Sequence, residues 1–166
     1  MHGVPRFDSD WIEAPIGRSR KRSDRMSVIE NPRPEDEPRL EPLRIGEEPR
    51  EPEDKTKGGK GLEASTFYTT RERLGRFALL ECQPKTGRTH QIRVHLTHIE
   101  HPLVGDRVYP GRKRVELPRQ APPMARHALH AAGLIFEHPV SGESVHFECS
   151  MPEDMQRFLA WAREQA

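Results

Sequence analysis

The sequence predicts an α+β fold: a mixed, mostly antiparallel sheet with one central helix and a second helix at the C-terminus. Three observations lead there. Two strand-like runs, "EASTFYTT" and "FALLEC", flank a short turn; a helical period begins at Thr89; and a second pair of strand-like runs precedes a helical stripe at the end of the chain.

Residues 1–29 hold two extended stretches, "DWIEAPIG" and "MSVIE", on either side of the basic run Arg18, Arg20, Lys21, Arg22 and Arg25. Pro15 and Gly17 argue against a helix there. Glu63 to Thr70 is rich in Thr and aromatics and reads as a strand. Leu74 and Gly75 fall in a turn, and Phe77 to Cys82 forms the antiparallel partner. Lys85, Thr86 and Gly87 make the next turn. Ile92, Leu96 and Ile99 then fall at i, i+4 and i+7, one face of a helix of about three turns that Pro102 ends. His90, Arg93 and Thr97 form one polar row, and Gln91, His95 and His98 the next. After a Pro-rich basic loop headed by Gly111, Arg112, Lys113 and Arg114, the run "HALHAAGLIF" pairs with "SVHFEC" as a second hairpin, with Val145, Phe147 and Cys149 on one face. The last helix has Pro152 at its first position and Met155, Phe158, Leu159 and Ala162 as its buried stripe.

A chain of 166 residues with 33% hydrophobic content supports one modest core. Residues 30–60 carry prolines at 32, 34, 38, 42, 49 and 52 among many charges, too little apolar surface to offset the entropy of ordering, so they read as a disordered acidic insertion between segments 1–29 and 61–166. The net charge of +1 hides a division. Residues 55–166 hold 17 Lys and Arg against 12 Asp and Glu, whereas residues 30–54 hold 10 acidic and 4 basic residues. The basic globular part suits a nucleic-acid partner. Cys82 and Cys149 each sit in an apolar run and read as buried thiols in a reducing compartment, hence a cytoplasmic protein. No stretch has the length of a membrane span or the layout of a secretory signal.

A glycine turn opening onto a helix, with Arg88 and Arg93 close by, offers backbone N–H groups and a positive dipole end to an anion. His101 and Asp106 pin the "HPLVGD" turn. The spacing of His90, His95, His98 and His101 raises a zinc site, but no second ligand pair with zinc spacing accompanies it, so no metal is expected.

The blocks "TGRTHQIRVHL" at 86–96, "HPLVGDRVY" at 101–109 and "RHALHAAGLIFEHPVSGE" at 126–143 resemble the RluA-type RNA pseudouridine synthases, as do "APIGR" at 14–18 and "ASTFY" at 64–68. The resemblance implies a catalytic domain that isomerises uridine in ribosomal or transfer RNA without a cofactor. It also implies a nucleophilic aspartate in an Arg, Leu, Asp segment and a tyrosine strand, and neither is found in these 166 residues. The chain therefore reads as the C-terminal half of such a domain, with the first half outside it or on a separate polypeptide. By resemblance, Arg93 corresponds to the arginine that pairs with the catalytic aspartate, here half of an ion pair. Lys85, Arg88, His90 and Gln91 would lie near RNA, with Arg112 a further phosphate contact from the basic loop. The alternative is a non-catalytic RNA-binding module or an inactive remnant.

Overall fold

The computed structural model describes residues 1–29, 61–112 and 116–166. The expected insertion at 30–60 and the basic residues Lys113 and Arg114 lie outside the described residues. The elements are β1 (Ser9–Glu13), β2 (Ile16–Arg18), β3 (Met26–Val28), β4 (Ser65–Leu74), β5 (Phe77–Pro84), α1 (Gln91–His98), β6 (Gly133–Glu137), β7 (Ser144–Glu148) and α2 (Glu153–Glu164). The class is α+β as expected, but the strands divide among three antiparallel sheets, β1-β4-β5, β2-β3 and β6-β7.

The β4–β5 hairpin is the spine. Its turn is tighter than the sequence suggests, because Leu74 pairs with Phe77 inside the ladder, leaving Gly75 at φ 57 to reverse the chain. Leu74 and Phe77 are both buried and, with Val104, Met124, Phe158 and Ala162, form the core cluster that docks α2. Met155, Leu159 and Trp161 pack beside it, so the expected stripe of α2 is the face that meets the sheet. Pro152 stands at the N-cap rather than inside the helix, and Glu153 and Asp154 fill the first turn, where their charge suits the positive helix end.

The polypeptide leaves the described part at Ile29 and re-enters at Gly61, and these two places touch. Ile29 donates its N–H to Pro15 O at 2.8 Å, and Leu62 and Ile16 exchange two backbone hydrogen bonds at 2.8 and 2.9 Å.

α1 lies between two further core clusters. Leu96 joins Ile12, Tyr68 and Leu103, while Val94 joins Ile16, Ala64 and Tyr109. The helix is a turn shorter than its apolar period implies. It ends at His98 because Glu100 takes the left-handed conformation at φ 67, with His101 N–H bonded to Leu96 O and Glu100 N–H to Thr97 O. That double closure stops the helix before Pro102 is reached.

The β6–β7 hairpin departs from expectation. Leu134, Ile135, Phe136 and Phe147 are 59%, 65%, 41% and 57% exposed, and no described element covers the face that was to be buried. Phe136 and Phe147 stack on each other instead, at 6.1 Å. Cys149 is accordingly an exposed free thiol rather than a buried one. Cys82 is half-buried and free, and burial pushes its thiol up to about 11. Among the described residues, no helix is long and apolar enough to cross a membrane and no side-chain group could hold a metal ion.

Candidate nucleic-acid interface

The turn after β5 and the first residues of α1 wall a cleft of about 310 Å³, closed on its far side by His127 and Leu129. Thr86, Gly87, Arg88, His90, Gln91, Ile92 and Arg93 line the near side. His90 occupies the N-cap position of α1 at φ 57. A non-glycine residue in that region costs about 1 kcal/mol, so the surroundings must hold it there.

Tyr109 supplies the hold. Its hydroxyl accepts the Met26 N–H at 3.0 Å and lies 2.9 Å from His90 Nδ1. The Tyr109 ring is buried and its hydroxyl fixes the imidazole through Nδ1, which leaves Nε2 without a partner among the described residues.

Arg93 is buried and not half of an ion pair. Its Nε and Nη2 donate to Asp106 Oδ2 and Oδ1, both at 2.8 Å, and its guanidinium carbon lies 4.9 Å from the centre of the Tyr109 ring. Asp106 does pin its turn: Oδ1 accepts the N–H groups of Val108 and Tyr109 at 2.9 Å. Burial would raise the Asp106 carboxyl, but the Arg93 hydrogen bonds and those two N–H groups outweigh it and hold the group below the usual range. The Arg93 guanidinium is pushed up, chiefly by the same pair of bonds. This arrangement commits the Nε–H and one Nη2–H, and leaves the second Nη2–H and both Nη1 hydrogens of a guanidinium that lines the cleft. His127, near Arg93, is lowered from its ordinary value by burial first and by the Arg93 charge second, so it is neutral at neutral pH.

Gln91 lines the same cleft, but its amide is spent internally. Its Nε2 donates to Ser65 O and Thr66 Oγ1, each at 3.0 Å, while Oε1 accepts from Thr86 Oγ1 and the Arg88 N–H. Thr66 Oγ1 in turn lies 2.9 Å from His95 Nδ1, and His95 Nε2 lies 3.0 Å from Ala14 O. The carbonyl can only accept, so Nε2 carries the proton and the Thr66 hydroxyl donates to Nδ1. The polar row Gln91 and His95 is therefore buried, and it bolts α1 to β4 and to residue 14.

The other expected site residues divide. Arg88 is at the cleft, with Nε donating to Glu63 O at 3.0 Å. Lys85 is exposed on the adjoining turn, 6.0 Å from the centre of the Trp11 ring. Arg112 is 92% exposed and pairs with Glu100 at 3.5 Å, beyond the C-terminal end of α1. It therefore sits about 12 Å of helix away from His90 and lines neither this cleft nor its neighbour. His98 and His101 do not converge with His90 and His95, since His101 Nδ1 faces His2 O at 3.3 Å. Sequence reasoning missed Tyr109 and His127 as members of the site. Both lie inside the blocks that carried the resemblance, and their position in those blocks was the available signal.

Arginine and histidine donors around one cleft of an α+β scaffold are groups suited to phosphate oxygens and base edges. A family model described as RNA pseudouridylate synthase matches residues 5–98, and the chain belongs to that family, in its RluA-type branch. It is 38% identical over 159 residues to an uncharacterized RNA pseudouridine synthase, YlyB, of Bacillus subtilis, covering 96% of this chain and 41% of that protein. It is 44% identical over 114 residues to the ribosomal large subunit pseudouridine synthase D of Xanthomonas campestris, covering 64% of this chain and 34% of that protein. The chain thus spans between about a third and two-fifths of the length of these curated relatives. The fold is also that of human RNA pseudouridylate synthase domain containing 4, at a TM-score of 0.67 and 23% identity over 98% of this chain and 59% of that one.

Proposed function

We propose that the chain takes part in the isomerisation of uridine to pseudouridine in RNA, and that the cleft beside α1 receives the extruded uridine. In that reaction the C1′–N1 bond breaks, the base turns, C1′ bonds to C5, C5 gives up its proton and N1 ends protonated. The observation that carries the reading is Arg93, buried, oriented by Asp106, and left with N–H donors on Nη1 and Nη2 for a further carboxylate. An arginine so placed keeps a nucleophilic carboxylate ionised and aimed. His90 Nε2 and Arg88 are the groups offered to base and phosphate; Gln91 holds the turn that presents them. The name of the Xanthomonas relative favours ribosomal RNA as the substrate class. The cytoplasm is the matching compartment.

The nucleophile itself is the open place in this reading. Among the described residues, no Asp or Glu lines the cleft, and the Asp106 carboxylate is committed to Arg93 and its own turn. We assign the nucleophile to sequence outside these 166 residues, continuous with them or on another polypeptide. The same observation favours a second reading, an RNA-binding module without turnover. Pseudouridine formation on uridine-labelled total RNA separates them. Turnover by the 166-residue chain alone would overturn the assignment of the nucleophile elsewhere. Turnover only with an added polypeptide carrying the Arg, Leu, Asp and tyrosine segments supports it, and RNA binding without turnover in either case supports the module.

A further inference from the structure

The basic run between β2 and β3 has no part in the cleft described so far, yet it is built with care. β2 and β3 pair from Ile16↔Val28 to Arg18↔Met26, so residues 19–25 form the connecting loop. That loop is closed on itself by Ser19 N–H to Arg25 O at 2.8 Å and Arg25 N–H to Arg22 O at 3.1 Å. Its root is fastened to the segment that positions Arg93: Arg25 Nη1 donates to Val108 O at 2.6 Å, and Met26 N–H donates to the Tyr109 hydroxyl. Arg25 is thereby used structurally. Arg18, Arg20, Lys21 and Arg22 remain exposed, and among the described residues none of the four makes an ion pair. Arg18 at the end of β2 and Arg20, Lys21 and Arg22 on the loop repel one another, with Asp24 the one carboxylate among them, an arrangement whose cost a bound polyanion removes.

The loop root also walls a second cleft, of about 290 Å³: Arg18, Ser23, Asp24 and Arg25 face Thr89 and His90 across it, while Arg20, Lys21 and Arg22 stand at the loop tip beside it. His90 lines both clefts, so they adjoin across one imidazole that Tyr109 holds still. A strand with one nucleotide in the first cleft would continue past His90 into the second.

We propose that the β2–β3 loop is a phosphate clamp for single-stranded RNA: Arg18, Arg20, Lys21 and Arg22 grip the backbone that flanks the nucleotide held beside α1. The proposal rests on the RNA reading of the first cleft. RNA is favoured over an acidic protein segment because Tyr109 holds both the root of the charged loop and His90, which lines the cleft proposed to take the nucleotide. Flanking phosphates positioned there would fix where along the strand the first cleft takes its base, without reading sequence.

Binding of a fluorescent uridine-containing 12-mer RNA by the full chain, measured by anisotropy at 50 and 200 mM KCl, tests this apart from turnover. Four phosphate contacts to a single strand contribute about 0.7 each to the slope of log K against log salt, or roughly fifty-fold in affinity over that salt range. The variant carrying Arg18→Gln, Arg20→Gln, Lys21→Gln and Arg22→Gln should lose most of that dependence. A charge-matched variant at Arg6, Arg76, Arg119 and Arg157, exposed residues that line neither cleft, should keep it. In the wild-type chain, the RNA should also protect Lys21 from acetylation, a readout independent of how the variants fold. Equal salt slopes in the two variants, or Lys21 unprotected at saturating RNA, would overturn the clamp. So would loop-dependent binding of polyglutamate as tight as that of the RNA, which would make the partner an acidic protein. Failure of turnover with the polypeptide carrying the Arg, Leu, Asp and tyrosine segments added, and with the clamp intact, would instead count against the isomerase reading alone.

Discussion

Asp106 is the side chain on which Arg93 depends, because it offers two acceptors to a guanidinium that is only 11% exposed. Removing one member of a buried pair leaves the other charge unsatisfied, which costs about 3–5 kcal/mol, whereas replacing both with apolar residues costs less. Asp106→Ala should therefore lower the unfolding free energy by about that amount in urea titrations, and Asp106→Leu with Arg93→Met should recover part of it. Glu100 offers the opposite experiment. It is the left-handed residue past the end of α1, a position glycine fills without steric cost, and its pairing with Arg112 is a loose surface contact. Glu100→Gly should raise stability by about 0.5–1 kcal/mol in the same titration.

Helix α1 is an element whose buried face is polar as well as apolar, and this makes it sensitive to acid. His95 is fully buried between Thr66 and Ala14 O, and burial lowers it from 6.5; His127 is lowered as well, and His2 is pushed down to about 4, chiefly by burial. Each binds a proton more readily in the unfolded chain. Their contribution to stability is therefore fully present above pH 6.5 and is lost as the pH falls from there toward 4. Unfolding free energies measured from pH 8 down to pH 4 should decline through that window, and His95→Gln should decline less steeply than wild type. A flat profile above pH 4 would show that these histidines are not held neutral. The same element shows where the sequence was and was not legible. The apolar period of Ile92, Leu96 and Ile99 revealed a helix because periodicity is local. The burial of Gln91 and His95 depends on Thr66, 25 and 29 residues away, and the Arg93–Asp106 pair spans a turn of 13 residues, so no local pattern records either.

At the scale of the molecule, the hairpins and the terminal helix were readable for the same reason as α1, since alternation and caps are local signals. Alternation told that the β6–β7 hairpin has an apolar face, but not whether anything packs on it. Among the described residues, nothing does. The family blocks brought the right neighbourhood into view, because Tyr109, Asp106, Arg93 and His127 all fall inside them; Arg93 and His127 line the cleft, and Asp106 and Tyr109 pack on Arg93.

Ile29 and Gly61 meet beside Pro15, so closely that a β-carbon added to Gly61 would stand 3.0 Å from that of Ile29. The chain thus has a seam. What happens between the two sides of it, in residues 30–60, need not be felt at the cleft, since closing a loop twice as long costs only about 0.6 kcal/mol more. Replacing residues 33–58 with a short Gly-Ser connection should leave the melting temperature within a few degrees and RNA affinity at high salt unchanged. A loss of folding would mean that the seam is held from the other side. If the seam holds, lineages of this fold are free to write new sequence at that one place, such as an address or a docking tag, while the arginine, the tyrosine and the histidines around the cleft stay where they are.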